Sequence, residues 1–201
     1  MFDRITPVNR ALLLANVVVF GLQNLLGPVM DRYIAYLVLW PPQSGGFRIW
    51  QLLTYGFVHG GFAHLFFNMF ALLMFGSQIE SLFGPRRYLF YYLACVVGAA
   101  LMHLIVQGMA GLPPAPIVGA SGGVFGILLA FGMAYPMRKL IVLPIPFPMP
   151  AWLVVTLYGL GELVFGVTQT LQGIAHFAHL GGMATGFVLI RYWRSQSQRR
   201  R

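Results

Sequence analysis

Ser121 stands in the run Gly119-Ala120-Ser121-Gly122-Gly123, at the head of a long apolar stretch. A serine hydroxyl is a weak nucleophile until a base takes its proton, and neutral histidine is the usual base near pH 7. His179, followed by the glycines at 181 and 182, is such a base. No Asp or Glu lies near either residue in sequence, so the expected constellation is a Ser–His dyad rather than a triad. Attack on a carbonyl builds an oxyanion, which needs hydrogen-bond donors aimed at it. His64 and Asn68 are spaced i,i+4 and so share one helix face, where each can donate. The backbone N–H of Ser121, at a helix start, supplies a third donor.

Each residue also has a plainer reading. Ser121 is a common packing residue in membrane helices, His179 could be a hydrogen-bonded interior histidine, and Asn68 could bridge two helices. His103 and His176 read as interior or solvent-facing histidines. A metal site from His59, His64, His176 and His179 is disfavoured, because H-x4-H is not a helical zinc spacing and no acid accompanies it. The glycines favour the chemical reading. Short side chains on different helices meet only if the backbones run close, and Gly122/Gly126 and Gly182/Gly186 form two GxxxG pairs beside Ser121 and His179.

These residues must be positioned by membrane-spanning elements. The chain has 201 residues, 58% hydrophobic and 8% charged, with a mean hydropathy of +0.75. A soluble domain carries about 25% charged residues, so this one cannot cover itself with polar surface and reads as an integral membrane protein. At about 20 residues per span, the uncharged windows give six helices, over 9–28, 61–83, 87–107, 121–136, 150–168 and 175–193. All belong to a single membrane domain over 1–201. Residues 29–60 form an interfacial first loop, rich in tryptophan and tyrosine, and 194–201 a basic tail. Gly84 and Pro85 mark a tight turn. Prolines at 144, 146, 148 and 150 predict an extended approach to the fifth span.

Arg4, Arg10, Arg86, Arg87, Arg138, Lys139 and the tail fall on one side of this arrangement, against Arg32 and Arg48 on the other. The positive-inside rule puts both termini in the cytoplasm. The formal net charge of +9 is then a topology signal. Nucleic acid is a poor candidate partner, since no folded basic domain presents a surface, though the arginines suit anionic lipid. Cys95 is the only cysteine, so no intrachain disulfide forms. Counting 1.5 Å per residue up from the basic markers, Ser121 lies roughly 25 Å above Arg138, His179 roughly 18 Å above Arg191 and Asn68 roughly 27 Å above Arg86. All three fall in the outer half of the bilayer. Glu80 and Glu162 are intramembrane acids. Glu80, near the inner end of its helix, is placed to bond adjoining segments, whereas Glu162 has no role legible from its surroundings.

Gly119-Ala120-Ser121-Gly122-Gly123, His64-Leu65-Phe66-Phe67-Asn68 and Ala178-His179-Leu180-Gly181-Gly182 together resemble the signatures of rhomboid intramembrane serine proteases. The resemblance covers about 47–190, including Glu80 and Gly84. It implies a six-helix bundle with Ser121 as nucleophile and His179 as general base. His64, Asn68 and the Ser121 amide would line the oxyanion hole. Gly119, Gly122 and Gly182 would support the site, and Phe125 stands where many relatives place an aromatic beside the histidine. It further implies that the fifth helix and the loop after it gate lateral access, that substrates are single-span transmembrane proteins cut at small residues, and that no metal or organic cofactor is used. One departure is Gln51, where many relatives have arginine after the tryptophan. The alternatives are a non-catalytic rhomboid-like protein that binds client helices and a small transporter. The transporter predicts polar residues along a whole path, whereas the inner halves of the fourth and sixth spans are apolar. A bacterial inner membrane is the expected location.

Overall fold

The computed structural model describes residues 5–25, 27–111, 114–142, 145–169 and 175–199. Its helices are α1 (Pro7–Leu25), α2 (Gly27–Leu37), the short α3 (Gln51–Thr54), α4 (Phe62–Ala71), α5 (Ser77–Phe83), α6 (Pro85–Ala110), α7 (Ser121–Ala134), α8 (Ala151–Thr168) and α9 (His176–Arg199). A π turn over Leu72–Gly76 joins α4 to α5 without a break. Among the described residues, four helical stretches are long and apolar enough to cross a membrane: Pro7–Leu25, Phe62–Phe83, Pro85–Ala110 and Ala151–Thr168. α7 is apolar but shorter. The histidines and glycines of α9, with Arg191 below them, dilute its apolar character. The result is an all-helical bundle of a multi-spanning membrane protein.

The bundle is built around α7. Gly122, Gly123, Val124, Gly126, Ile127, Ala130, Phe131 and Gly132 are buried, so this helix is covered on nearly every side, chiefly by α6 and α9. The periphery is apolar: on α4, Phe62, Phe66, Phe67 and Phe70 are exposed, and on α8 Trp152, Leu157, Leu160, Val164 and Val167 are too. Aromatic and aliphatic side chains facing outward along whole helices fit a hydrocarbon surround.

Local chemistry explains the breaks. Gly84 sits at φ +78°, and Pro85 opens α6 at the position where its missing N–H costs nothing. Glu80 is buried, and its carboxylate accepts from the N–H groups of Val8 (3.1 Å) and Asn9 (2.7 Å). It thus satisfies orphan donors at the start of α1 and complements that helix's dipole. Asn9 in turn donates to the Leu72 carbonyl at 2.9 Å, which the π turn takes out of regular pairing.

Several features differ from the sequence reading. The 29–60 segment holds a two-to-three-turn helix, α2, rather than loop alone. α9 continues to Arg199, so most of the basic tail is helical. Pro144 lies outside the described residues; the rest of the proline-rich approach to α8 is extended as expected, but it is also paired: β2 (Ile145–Pro150) lies antiparallel to β1 (Lys139–Val142), with Lys139 opposite Pro150. A two-stranded ribbon tolerates alternate prolines because each strand has a free edge.

Candidate active site

Ser121 is the first residue of α7, and Gly119 just before it is at φ +122°. That left-handed backbone is accessible to glycine without strain. A Cβ at Gly119 would also lie 2.6 Å from the imidazole of His64. The approach to Ser121 is tied down by Leu39 and Ile117, which exchange backbone hydrogen bonds of 3.2 and 3.1 Å, and by the Gly119 N–H donating to the Tyr55 carbonyl at 3.0 Å. Ala120, at the N-cap, makes no side-chain cap to α7, whose first-turn N–H groups have no partner within the helix.

His179, one turn into α9, is buried at 9% exposure. Its Nε2 lies 2.8 Å from Ser121 Oγ. The imidazole stacks on Phe125, with ring centroids 4.3 Å apart and planes within 5°. Phe125 meets Tyr158 of α8 edge-on. The helix crossing that permits this is made of glycine: a Cβ on Gly182 would run into the backbone of Gly122. The two GxxxG pairs do not simply face each other. Gly126 is filled against Cys95 and Gly186 against the Tyr91 hydroxyl, both on α6.

His64 and Asn68 share a face of α4, which packs against α7. Asn68 is buried, and its amide donates to the His64 carbonyl at 2.8 Å, along its own helix rather than towards the serine. His59, named in the disfavoured metal set, is a loop residue beside His64. Its ring is edge-on to His64 at 5.1 Å, and its Nε2 is 3.5 Å from the Ala120 N–H. Gln23 of α1 brackets its backbone, donating to the carbonyl at 3.1 Å and accepting from the N–H at 3.2 Å. Burial, and then the neighbouring His64, push the His59 pKa down to about 4. It is neutral at pH 7 and able to accept the Ala120 N–H. Among the described residues, no group of three or more His, Cys, Asp or Glu is disposed to hold a metal ion.

The expectation of a histidine without an acidic neighbour is corrected by α8. Glu162 Oε2 lies 3.0 Å from His179 Nδ1 and 2.7 Å from His176 Nδ1. The contact to His179 is short but not aligned as a full hydrogen bond. Sequence distance concealed it, because α8 and α9 are separate elements that pack side by side.

A profile described as the Rhomboid domain matches residues 46–196. The chain belongs to the rhomboid family. Its rhomboid relatives include Rhomboid protein 1, mitochondrial, of Saccharomyces cerevisiae, 31% identical over 88% of this chain and 50% of the yeast protein. RHOMBOID-like protein 4 of Arabidopsis thaliana is 35% identical over 70% of this chain and 33% of its own length. Rhomboid protease GluP of Bacillus subtilis is 33% identical over 69% of this chain and 25% of its own length. This rhomboid chain therefore spans between a quarter and a half of the length of these relatives. The departure at Gln51 has a structural answer. Gln51 is fully buried, accepts from the N–H groups of Trp40 (3.3 Å) and Arg48 (3.0 Å), and donates to the carbonyls of Tyr36 (3.3 Å) and Gly46 (3.1 Å). A neutral amide thus anchors the first loop from within, while the Arg48 guanidinium stays exposed on the carbonyls of Gly45 and Phe47.

Proposed function

We propose that this rhomboid-family protein is an intramembrane serine protease acting on single-span membrane proteins through Ser121 and His179. The observation that carries the reading is the 2.8 Å approach of Ser121 Oγ to His179 Nε2 across two helices. Packing alone does not require a hydroxyl and an imidazole to meet there.

In this mechanism His179 Nε2 takes the Ser121 proton as Oγ attacks the scissile carbonyl. The tetrahedral oxyanion is met by the open N–H of Ser121 and by His64. The Asn68 amide joins them by turning away from the His64 carbonyl, as catalytic hydrogen bonds often tighten only with substrate bound. The imidazolium returns its proton to the leaving amine, giving an acyl-enzyme. Water then gives its proton to Nε2 and its hydroxyl to the acyl carbon; as the acyl–Oγ bond breaks, His179 passes that proton to Oγ, regenerating Ser121 and releasing a free carboxylic product. Phe125, Gly119, Gly122 and Gly182 hold the geometry. No metal or organic cofactor enters these steps.

We further read the bundle as six spans with both termini in the cytoplasm of a bacterial inner membrane. The fourteen residues of α7 rise about 21 Å, less than the ~30 Å hydrocarbon thickness. With the Arg138 end at the inner boundary, Ser121 would lie below the outer one. A site at that depth must be reached by water from outside and by substrate from the side. α8, the least buried wall of the site, suits lateral access by a client helix unwound at small residues.

The test is cleavage of single-span substrates by the protein in lipid vesicles, with a fluorophosphonate probe run in parallel. Cleavage and labelling are expected for the wild type, with Ser121→Ala and His179→Ala losing both by on the order of 10³-fold or more. Unchanged cleavage by Ser121→Ala would leave the client-binding alternative in possession of the fold and the mechanism without support.

A further inference from the structure

Glu162 is the one described intramembrane carboxylate that the fold does not use as a helix cap, and its surroundings are specific. It sits on α8, half-buried, and one oxygen faces two imidazole nitrogens of α9: Nδ1 of His176 at 2.7 Å and Nδ1 of His179 at 3.0 Å. Tyr158 lies one turn before it on α8, edge-on to Phe125. Phe165 packs 5.9 Å from the His176 ring. A carboxylate in an apolar surround is costly unless donors meet it, and here both candidate donors are histidine Nδ1 atoms.

The tautomer of His179 follows from this contact. For Nε2 to accept the Ser121 proton, the imidazole proton must sit on Nδ1. An isolated imidazole distributes it between the two nitrogens. If it sits on Nε2, the ring donates to Oγ and cannot serve as base. A carboxylate oxygen within reach of Nδ1 selects the productive form and stabilises the imidazolium that follows, as an acid does in three-member serine sites. We propose that Glu162 is a positioning residue for His179, holding its proton on Nδ1, and that His176 fixes the Glu162 carboxylate for this task. The proposal rests on the Ser121–His179 reading. It adds a third member, from the helix assigned to lateral access, to what the sequence gives as a pair. The misalignment of the 3.0 Å contact is what a shared oxygen produces: His176 holds the closer position, and a small rotation of the carboxylate, or substrate binding, brings His179 into line. Because Glu162 travels with α8, outward displacement of that helix withdraws the acceptor. The base is then oriented only when the helix is closed against α9.

The test compares wild type, Glu162→Ala and Glu162→Leu with His179→Ala and Ser121→Ala, all reconstituted in phosphatidylethanolamine–phosphatidylglycerol vesicles. Leucine keeps most of the volume and suits a lipid-facing helix, so it carries the test if the alanine variant does not fold. Cleavage of a single-span substrate gives kcat and KM. Solid-state NMR of 15N-imidazole-labelled protein, with the His179 signals assigned by His179→Ala, gives the tautomer. The expected result is a kcat lower by roughly 10- to 100-fold, a fraction of the contribution of a general base itself, with KM unchanged. The His179 proton moves from Nδ1 in the wild type to Nε2 in both Glu162 variants. A purely structural role would lower stability without moving the proton. Wild-type kcat together with an unmoved proton in either Glu162 variant overturns the positioning role alone, provided Ser121→Ala and His179→Ala are inactive. Cleavage that survives Ser121→Ala overturns the mechanism on which it rests.

Discussion

At the scale of single residues, the site depends on side chains that are missing. Ser121 and His179 are short and lie on different helices, so their 2.8 Å approach requires the α7 and α9 backbones to touch. Gly182 is where they do, since a Cβ there would overlap Gly122. The overlap is with backbone, which cannot swing aside as the end of a flexible side chain can. Gly182→Ala is therefore expected to destabilise the fold by about 3 kcal/mol, the upper range for overpacking. It should also lower fluorophosphonate labelling of whatever protein still folds, because the serine and histidine are pushed apart. Thermal unfolding in detergent and a labelling time course read the two effects, and wild-type values for both would mean that α7 and α9 tolerate separation at this point. Phe125 contributes differently. Stacked within 5° of the imidazole plane, it restricts ring rotation without competing for either nitrogen.

At the scale of elements, segments that look irregular are tied to the site by backbone hydrogen bonds. The first loop reaches Ser121 through the Leu39–Ile117 bridge, and its internal order rests on Gln51. All four hydrogen-bonding positions of that amide are used on groups from residues 36–48. Gln51→Ala leaves two N–H groups and two carbonyls to find other partners. A loss of about 3 kcal/mol is expected, given 1–3 kcal/mol for each buried polar group left unpaired. Local hydrogen exchange should rise across 36–51 more than in α7. Equal exchange in both places would show that the loop is held by its apolar contacts instead. The π turn between α4 and α5 belongs to the same scale, because it presents the Leu72 carbonyl to Asn9 and so locks α1 against the helix that carries His64 and Asn68.

At the scale of the whole molecule, the basic residues gather at one end. Arg138 bonds Gln78 at 2.6 Å, Arg87 lies over the Trp193 ring at 5.8 Å, and Arg194 reaches the Met133 carbonyl at 3.4 Å. These contacts join the start of α5, the end of α7, α9 and the start of α6, while Arg48 is tied through Gln51 to the first loop, which meets the Ser121 end of α7 through the Leu39–Ile117 pair. With the positive end inside, a cysteine at Arg48→Cys is expected to react with a membrane-impermeant maleimide on intact cells. Cysteines at Arg10→Cys, Arg87→Cys and Arg194→Cys should react only after permeabilisation. The buried Cys95 should stay silent in both. Labelling in the reverse pattern would put the serine on the cytoplasmic side and overturn the proposed orientation.

The sequence alone was enough for the family and for the multi-spanning class of molecule. Charges are so few that hydropathy marks the helices, and motif spacing on a helix dictates which residues share a face, as with His64 and Asn68. Gly119 and Gly182 stand out for a local reason: small residues beside a candidate nucleophile and base let the backbones that carry them run close. What remained hidden was whatever depends on the packing of elements distant in the chain. Glu162 has no role legible in the sequence because nothing near it there can answer a carboxylate. Only the placement of α8 against α9 set it beside His176 and His179. Gln51 is a departure that only the loop folded around it explains, and the surroundings of His59 are set only by Gln23 and His64 on either side. Periodicity and composition are properties of a segment and survive without tertiary structure. The partner of a buried polar group is a property of two segments, and only the fold decides it.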